Sequence, residues 1–196
     1  MKRFALPLAI AAMFAVNSIP APTQGDGGGG GGCPSGHLAF SQEIAVCAPY
    51  PFFYLEQETH DVPMCVGGDI WVYLLASSSA AGHLDWNPQA DSFGGEITYD
   101  ATHLSFIGYS LGYVGPYSSL TYTSPGHLAV SISGGIPPEP LQILALHFSK
   151  IGTSIPNSRV DINLFPVMCY YPNGDYLSCS GLEQFCEAGG TVRQTP

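Results

Sequence analysis

Charged side chains make up only 10% of the 196 residues, against roughly 25% in an ordinary globular protein. The shortfall falls on one sign, with fifteen acids against five Lys and Arg and a formal net charge of −10. Two of the five, Lys2 and Arg3, stand at the extreme N-terminus, so only Lys150, Arg159 and Arg193 oppose the acids from Asp26 onward. Neutralising a phosphate backbone takes a clustered set of cations, which excludes nucleic acid as a partner and disfavours anionic membrane surfaces. Helical periodicity is missing too. Past Pro51, no window of about 11 residues repeats its apolar positions at i, i+3, i+4 and i+7. Close Cys-x-x-Cys pairs and H-x-x-x-H spacings are absent, which removes the usual zinc patterns. The best calcium-loop candidate, Asn173 to Ser178, lacks a third oxygen ligand at the required place. No metal or other cofactor is expected.

What is present begins with a signal for export. Met1-Lys2-Arg3 precedes an apolar run from Phe4 to Val16, followed by small residues near Ser18 and Ala21. That is a basic n-region and an h-region too short for the about 20 residues of a membrane span, and it reads as a secretory signal peptide over 1–21. Residues 22–32 follow as a flexible tether dominated by the glycines from Gly27 to Gly32. A cysteine-containing extension, 33–51, comes next. The six cysteines Cys33, Cys47, Cys65, Cys169, Cys179 and Cys186 are an even number in an exported chain, which favours disulfides. Pairing neighbours would join Cys33 to Cys47 and Cys169 to Cys179 and leave Cys65 for Cys186, one of about fifteen combinations.

From Phe52 the chain reads strand, turn, strand. Extended runs are expected at Phe52–Thr59, Ile70–Leu75, Phe93–Tyr99, Leu104–Tyr109, Ser119–Thr123, His127–Ser133, Leu141–Phe148, Arg159–Phe165 and Gly189–Arg193. Leu128, Val130 and Ile132 alternate with small residues, the mark of a two-faced strand. Leu141–Phe148 is almost continuously apolar, as a central strand covered on both sides would be. About nine short strands with turns every 8 to 15 residues predict an all-β fold, a β-sandwich of jelly-roll type over 52–194.

Four segments, in order, resemble the cohesin family, the modules that capture dockerins in extracellular assemblies. Val66-Gly67-Gly68-Asp69-Ile70-Trp71-Val72 is similar to the family's "VGDTVTV", and the stretch from Gly95 to Phe106, with Tyr99-Asp100 and Leu104, to its "YDPNVLEF". Leu144 to Phe148 is similar to "ATISF", and Gly189-Gly190-Thr191-Val192 to "GSVTV". The Tyr-Asp step also has its own logic, since Asp100 can turn the chain through its side chain and Leu104 can re-enter the core. The resemblance implies a secreted, non-catalytic module that binds a dockerin-type protein through a sheet face containing the strands at 93–99 and 127–133. By alternation, the outward residues there are Glu96, Thr98, Ala129 and Ser131. The six cysteines and the segment before Phe52 lie outside the family pattern.

Two other chemistries are worth weighing. Trp86, Tyr109, Tyr113, Tyr117 and Tyr122 gather in loops and strand ends, where aromatic rings can stack on sugars, so polysaccharide is the alternative ligand. Gly108-Tyr109-Ser110-Leu111-Gly112 spells G-x-S-x-G, which would make Ser110 a hydrolase nucleophile. That elbow needs a helix directly after it, and Tyr113 to Ser118, with Gly115 and Pro116 inside, cannot supply one.

Overall fold

The structure is a computed structural model that describes residues 33–43, 52–57, 59–77, 89–134, 141–170, 175–178 and 186–196. All of them belong to one unit, Cys33–Pro196. The expected signal peptide and tether, with Cys47, Cys179 and Trp86, lie outside the described residues.

Among the described residues there are twelve strands: β1 (Ser35–Glu43), β2 (Phe52–Gln57), β3 (Asp61–Pro63), β4 (Asp69–Ser77), β5 (Gln89–Tyr99), β6 (Leu104–Leu111), β7 (Ser119–Ser124), β8 (His127–Ser133), β9 (Leu141–Lys150), β10 (Ser158–Tyr170), β11 (Tyr176–Ser178) and β12 (Cys186–Thr195). They form two antiparallel sheets. One has the order β3-β1-β12-β10-β5-β8-β7, with β11 paired to β10, and the other runs β2-β4-β9-β6. Through its first seven strands the chain alternates between the sheets, as jelly-roll chains do.

Each of the nine runs expected from sequence holds a strand, the first of them over Phe52–Gln57, and among the described residues the count of about nine is corrected to twelve by β1, β3 and β11. β3 and β11 have three residues each, too few to show alternation. β1 carries the pattern only weakly, because Leu38 and Phe40 are separated by Ala39 and flanked by polar residues. Even so, β1 sits between β3 and β12, pairing Leu38 with Gln194 and Phe40 with Val192. The 33–51 segment therefore contributes a strand to the larger sheet.

Alternation fills the space between the sheets. Phe93, Ile97 and Tyr99 of β5, Leu128, Val130 and Ile132 of β8, and Val160, Ile162 and Leu164 of β10 face Ile70, Val72 and Leu74 of β4 and Leu144, Leu146 and Phe148 of β9, all buried. β9 lies centrally between β4 and β6, and its four consecutive buried residues, Ile143 to Leu146, match its continuous apolar run. The β7–β8 hairpin turns at Pro125-Gly126, where Gly126 has φ +86°, a conformation that favours glycine at this position of a turn.

One polar cluster is buried in this core. Lys150 of β9 is 2% exposed and donates to the carbonyl oxygens of Pro63 and Thr153 and to Gln194 Oε1, the last at 2.9 Å. Gln194 Nε2 in turn donates to Val62 O at 2.9 Å. Burial lowers the Lys150 pKa. The cluster ties β9 of one sheet to β3 and β12 of the other.

The disulfide expectation needs correction. Cys33 bonds to Cys65, with Cα atoms 6.1 Å apart, and so not to Cys47, which in turn removes the Cys65–Cys186 pair. The cause is the antiparallel pairing of β1 with β3, which sets Ser35 opposite Pro63 and brings Cys33 beside Cys65.

Candidate partner-binding face

The outward side of the larger sheet is set by strand parity. Glu96 stands opposite Ala129 of β8 on one side and Asn163 of β10 on the other. Thr98 stands between His127 and Asp161, and Ser131 opposite Gly94 and Ser119. Glu96, Thr98, Ala129 and Ser131 thus do share one face, three of them exposed and Thr98 half-buried between its neighbours. With Thr121 of β7 opposite Ala129, the face spans four strands, β10-β5-β8-β7.

Several of its residues were missed in the sequence. His127 Nδ1 donates to Glu96 Oε1 at 2.5 Å, both side chains about half exposed, and the pair leaves this part of the face polar and ordered. Farther along, Phe165 and Val167 are 42% and 40% exposed. Their side chains lie over Gly94, where an added Cβ would be 3.3 Å from each. The signal was present. Val160, Ile162 and Leu164 take the inward parity, so the next residue, Phe165, must point out. The irregular pairing that follows, between Pro166 and Met168, leaves Val167 outside the ladder. The face therefore joins an apolar end, Phe165 and Val167, to a polar end, Glu96, His127 and Asp161.

At the rim of this face, Asp100 follows directly on β5. Its Oδ1 accepts from Thr102 N at 3.0 Å and Thr102 Oγ1 at 2.5 Å, and its Oδ2 from His103 Nδ1 at 2.8 Å. Partial burial pushes the carboxyl up, but the bonds from Thr102 and His103 outweigh it and hold the pKa down at about 2. Leu104 N closes the turn onto Asp100 O at 2.9 Å, and Leu104 re-enters the core.

Similar architecture occurs in solved structures. The cohesin module of a family 33 glycoside hydrolase from Clostridium perfringens aligns with a TM-score of 0.45 at 10% identity, over 70% of this chain and 93% of that one. The sixth cohesin of scaffoldin B from Acetivibrio cellulolyticus, solved with a Cel5 dockerin, gives 0.42 at 18% identity, over 64% and 91%. A non-cellulosomal cohesin from Archaeoglobus fulgidus gives 0.35 at 15%, over 58% and 75%. The neighbours are cohesin modules. No family model matches the chain, and no curated protein is similar to it in sequence.

The residues of the other two readings lie off this outward face. Tyr109 is on β6 in the smaller sheet, Tyr113 and Tyr117 are in the connection to β7, and Tyr122 is on β7, its ring stacked with Phe106 at 6.4 Å. All four are exposed, from 42% for Tyr109 to 85% for Tyr117, but they are divided between two sheets and a loop. Ser110 lies in β6 opposite Ala145, with no helix after it. Its neighbour Gly112 is there for packing, since a Cβ would collide with the Gln142 carbonyl where the backbone bonds to β9. Among the described residues no histidine hydrogen-bonds to Ser110, and no group of three or more His, Cys, Asp or Glu is gathered to hold a metal. Histidines instead pair singly with acids: His37 with Asp61, His103 with Asp100, His127 with Glu96 and His147 with Asp69.

Proposed function

We propose that this chain is an exported, non-catalytic binding module that captures a protein partner of dockerin type on the outward face of β10-β5-β8-β7. The observation that carries the reading is the joining, on one four-stranded surface, of the exposed pair Phe165 and Val167 to the ordered Glu96–His127 pair. Buried apolar anchors beside a polar region that fixes orientation are the usual anatomy of a protein interface. The sequence resemblance supplies the class of partner, and the N-terminal signal supplies export. Glu96, Thr98, Ala129 and Ser131 are contact residues in this reading, joined by His127, Phe165 and Val167.

The test is retention of the full chain on a panel of immobilised dockerins, with insoluble polysaccharides in parallel. Specific retention by a dockerin is expected, weakened at least tenfold by Glu96→Arg and by Phe165→Ala while far-UV and thermal profiles stay unchanged. Retention on polysaccharide alone, lost on replacing Tyr113 and Tyr117, would overturn the reading and move recognition to the loop aromatics.

A further inference from the structure

Positive charge is rare in this protein, and where it does occur it is concentrated. Of the three cations after Asp26, Lys150 is buried and occupied by Pro63, Thr153 and Gln194. The other two, Arg159 and Arg193, are exposed and line the same cleft, a concavity of about 630 Å³ on the outward side of β1, β12 and β10. Register explains the grouping. Arg159 stands opposite Thr191, and Arg193, two residues on along β12, shares its face opposite Ala39 of β1. Ser41 and Asn157 complete the polar wall.

The two guanidinium groups differ in state. Asp161 receives Arg159 Nε at 3.1 Å and Nη2 at 2.6 Å, which fixes the plane of that group and neutralises it. The Arg159–Asp161 pair lies over Gly189, where any Cβ would displace it. Arg193 has no carboxylate in ion-pair distance among the described residues. The cleft therefore holds one uncompensated fork of N–H donors, ringed by the hydroxyls of Ser41 and Thr191 and the amide of Asn157. A guanidinium matches a carboxylate bidentately, and the neutral groups match hydroxyls. The concavity is shallow and opens widely to solvent, and only its volume falls in the range of small-ligand sites. A polyanion would be repelled by the net charge of −10, whereas a ligand with one carboxylate meets only the local field.

From this we infer that the Arg193 cleft binds the carboxylate of a single acidic sugar residue, a hexuronate, independently of the β5–β8 face. The ligand's ring hydroxyls bond to Ser41, Thr191 and Asn157. Titration of the full chain with glucuronate, read by calorimetry and by the arginine Nε–H resonances in NMR, tests it. Glucose serves as the uncharged control and triglycine as a peptide carboxylate. Saturable glucuronate binding that moves the Arg193 signal, and weakens at least tenfold in Arg193→Gln, is the expected result. Arg193 is exposed at the end of a strand, so the variant folds, and Asn157→Ala gives a second, smaller loss. Absence of saturable glucuronate binding, equal binding of glucose, preference for triglycine, or an unaffected Arg193→Gln would each overturn the assignment.

Discussion

At the scale of single residues, the side chain that does most for local order is Asp100. Three donors converge on its carboxylate, so the folded state favours the ionised form, with a pKa near 2 against an ordinary 3.8. The folded protein then binds fewer protons than the unfolded one between those values. The resulting stabilisation is complete above about pH 4 and disappears as the pH falls toward 2. Asp100→Asn removes this pH-dependent part. Urea titrations at neutral pH should find the variant less stable by about 1 kcal/mol, a figure reduced for the partial exposure of the pair, and the gap should close by pH 2. The role of Asp100 was legible because a carboxylate just after a strand can turn the chain through its side chain, with Leu104 spaced to re-enter the core. The Glu96–His127 pair was not, since nothing in either local segment says that residues 31 apart will face each other across two strands.

Among the elements, the strands that could be read from sequence are those with several alternating or continuous apolar residues. β4, β8 and β9 announce themselves, and their neighbours follow from turns such as Pro125-Gly126. β1, β3 and β11 could not be seen, because two of them are too short for a period of two to show and the third hides its inward Leu38 and Phe40 among polar residues. Missing β1 also cost the disulfide, since only the β1–β3 register brings Cys33 to Cys65. β5 is held between β10 and β8 near the middle of the larger sheet. At Gly95 its backbone passes so close to the Asn163 carbonyl that no side chain fits. Gly95→Ala must push β5 from β10 at the centre of the sheet and should cost about 1–3 kcal/mol, as overpacking in well-filled interiors does. Thermal denaturation checks this. A variant as stable as the parent would show that the ladder yields there without loss.

For the molecule as a whole, burial and one covalent link act together. The Cys33–Cys65 bond closes a loop of 32 residues' separation around β1, β2 and β3. By loop-closure entropy it contributes up to about 3–4 kcal/mol, so the paired Cys33→Ser, Cys65→Ser variant should unfold at markedly lower denaturant, and a midpoint within error of the parent would refute the assignment of that stabilisation. The pairing of β1 with β12 adds something of a different kind. These strands run antiparallel, with His37 beside Thr195, so both ends of the fold emerge at one place. A tension applied between residues 33 and 196 would peel these two strands apart pair by pair rather than shear them. Because Cys33 is bonded to Cys65, peeling β1 away would release none of the chain from 33 to 65, and the pull would pass directly to the start of β4 in the opposite sheet. As a mechanical element the module would give way early by a small step, then hold.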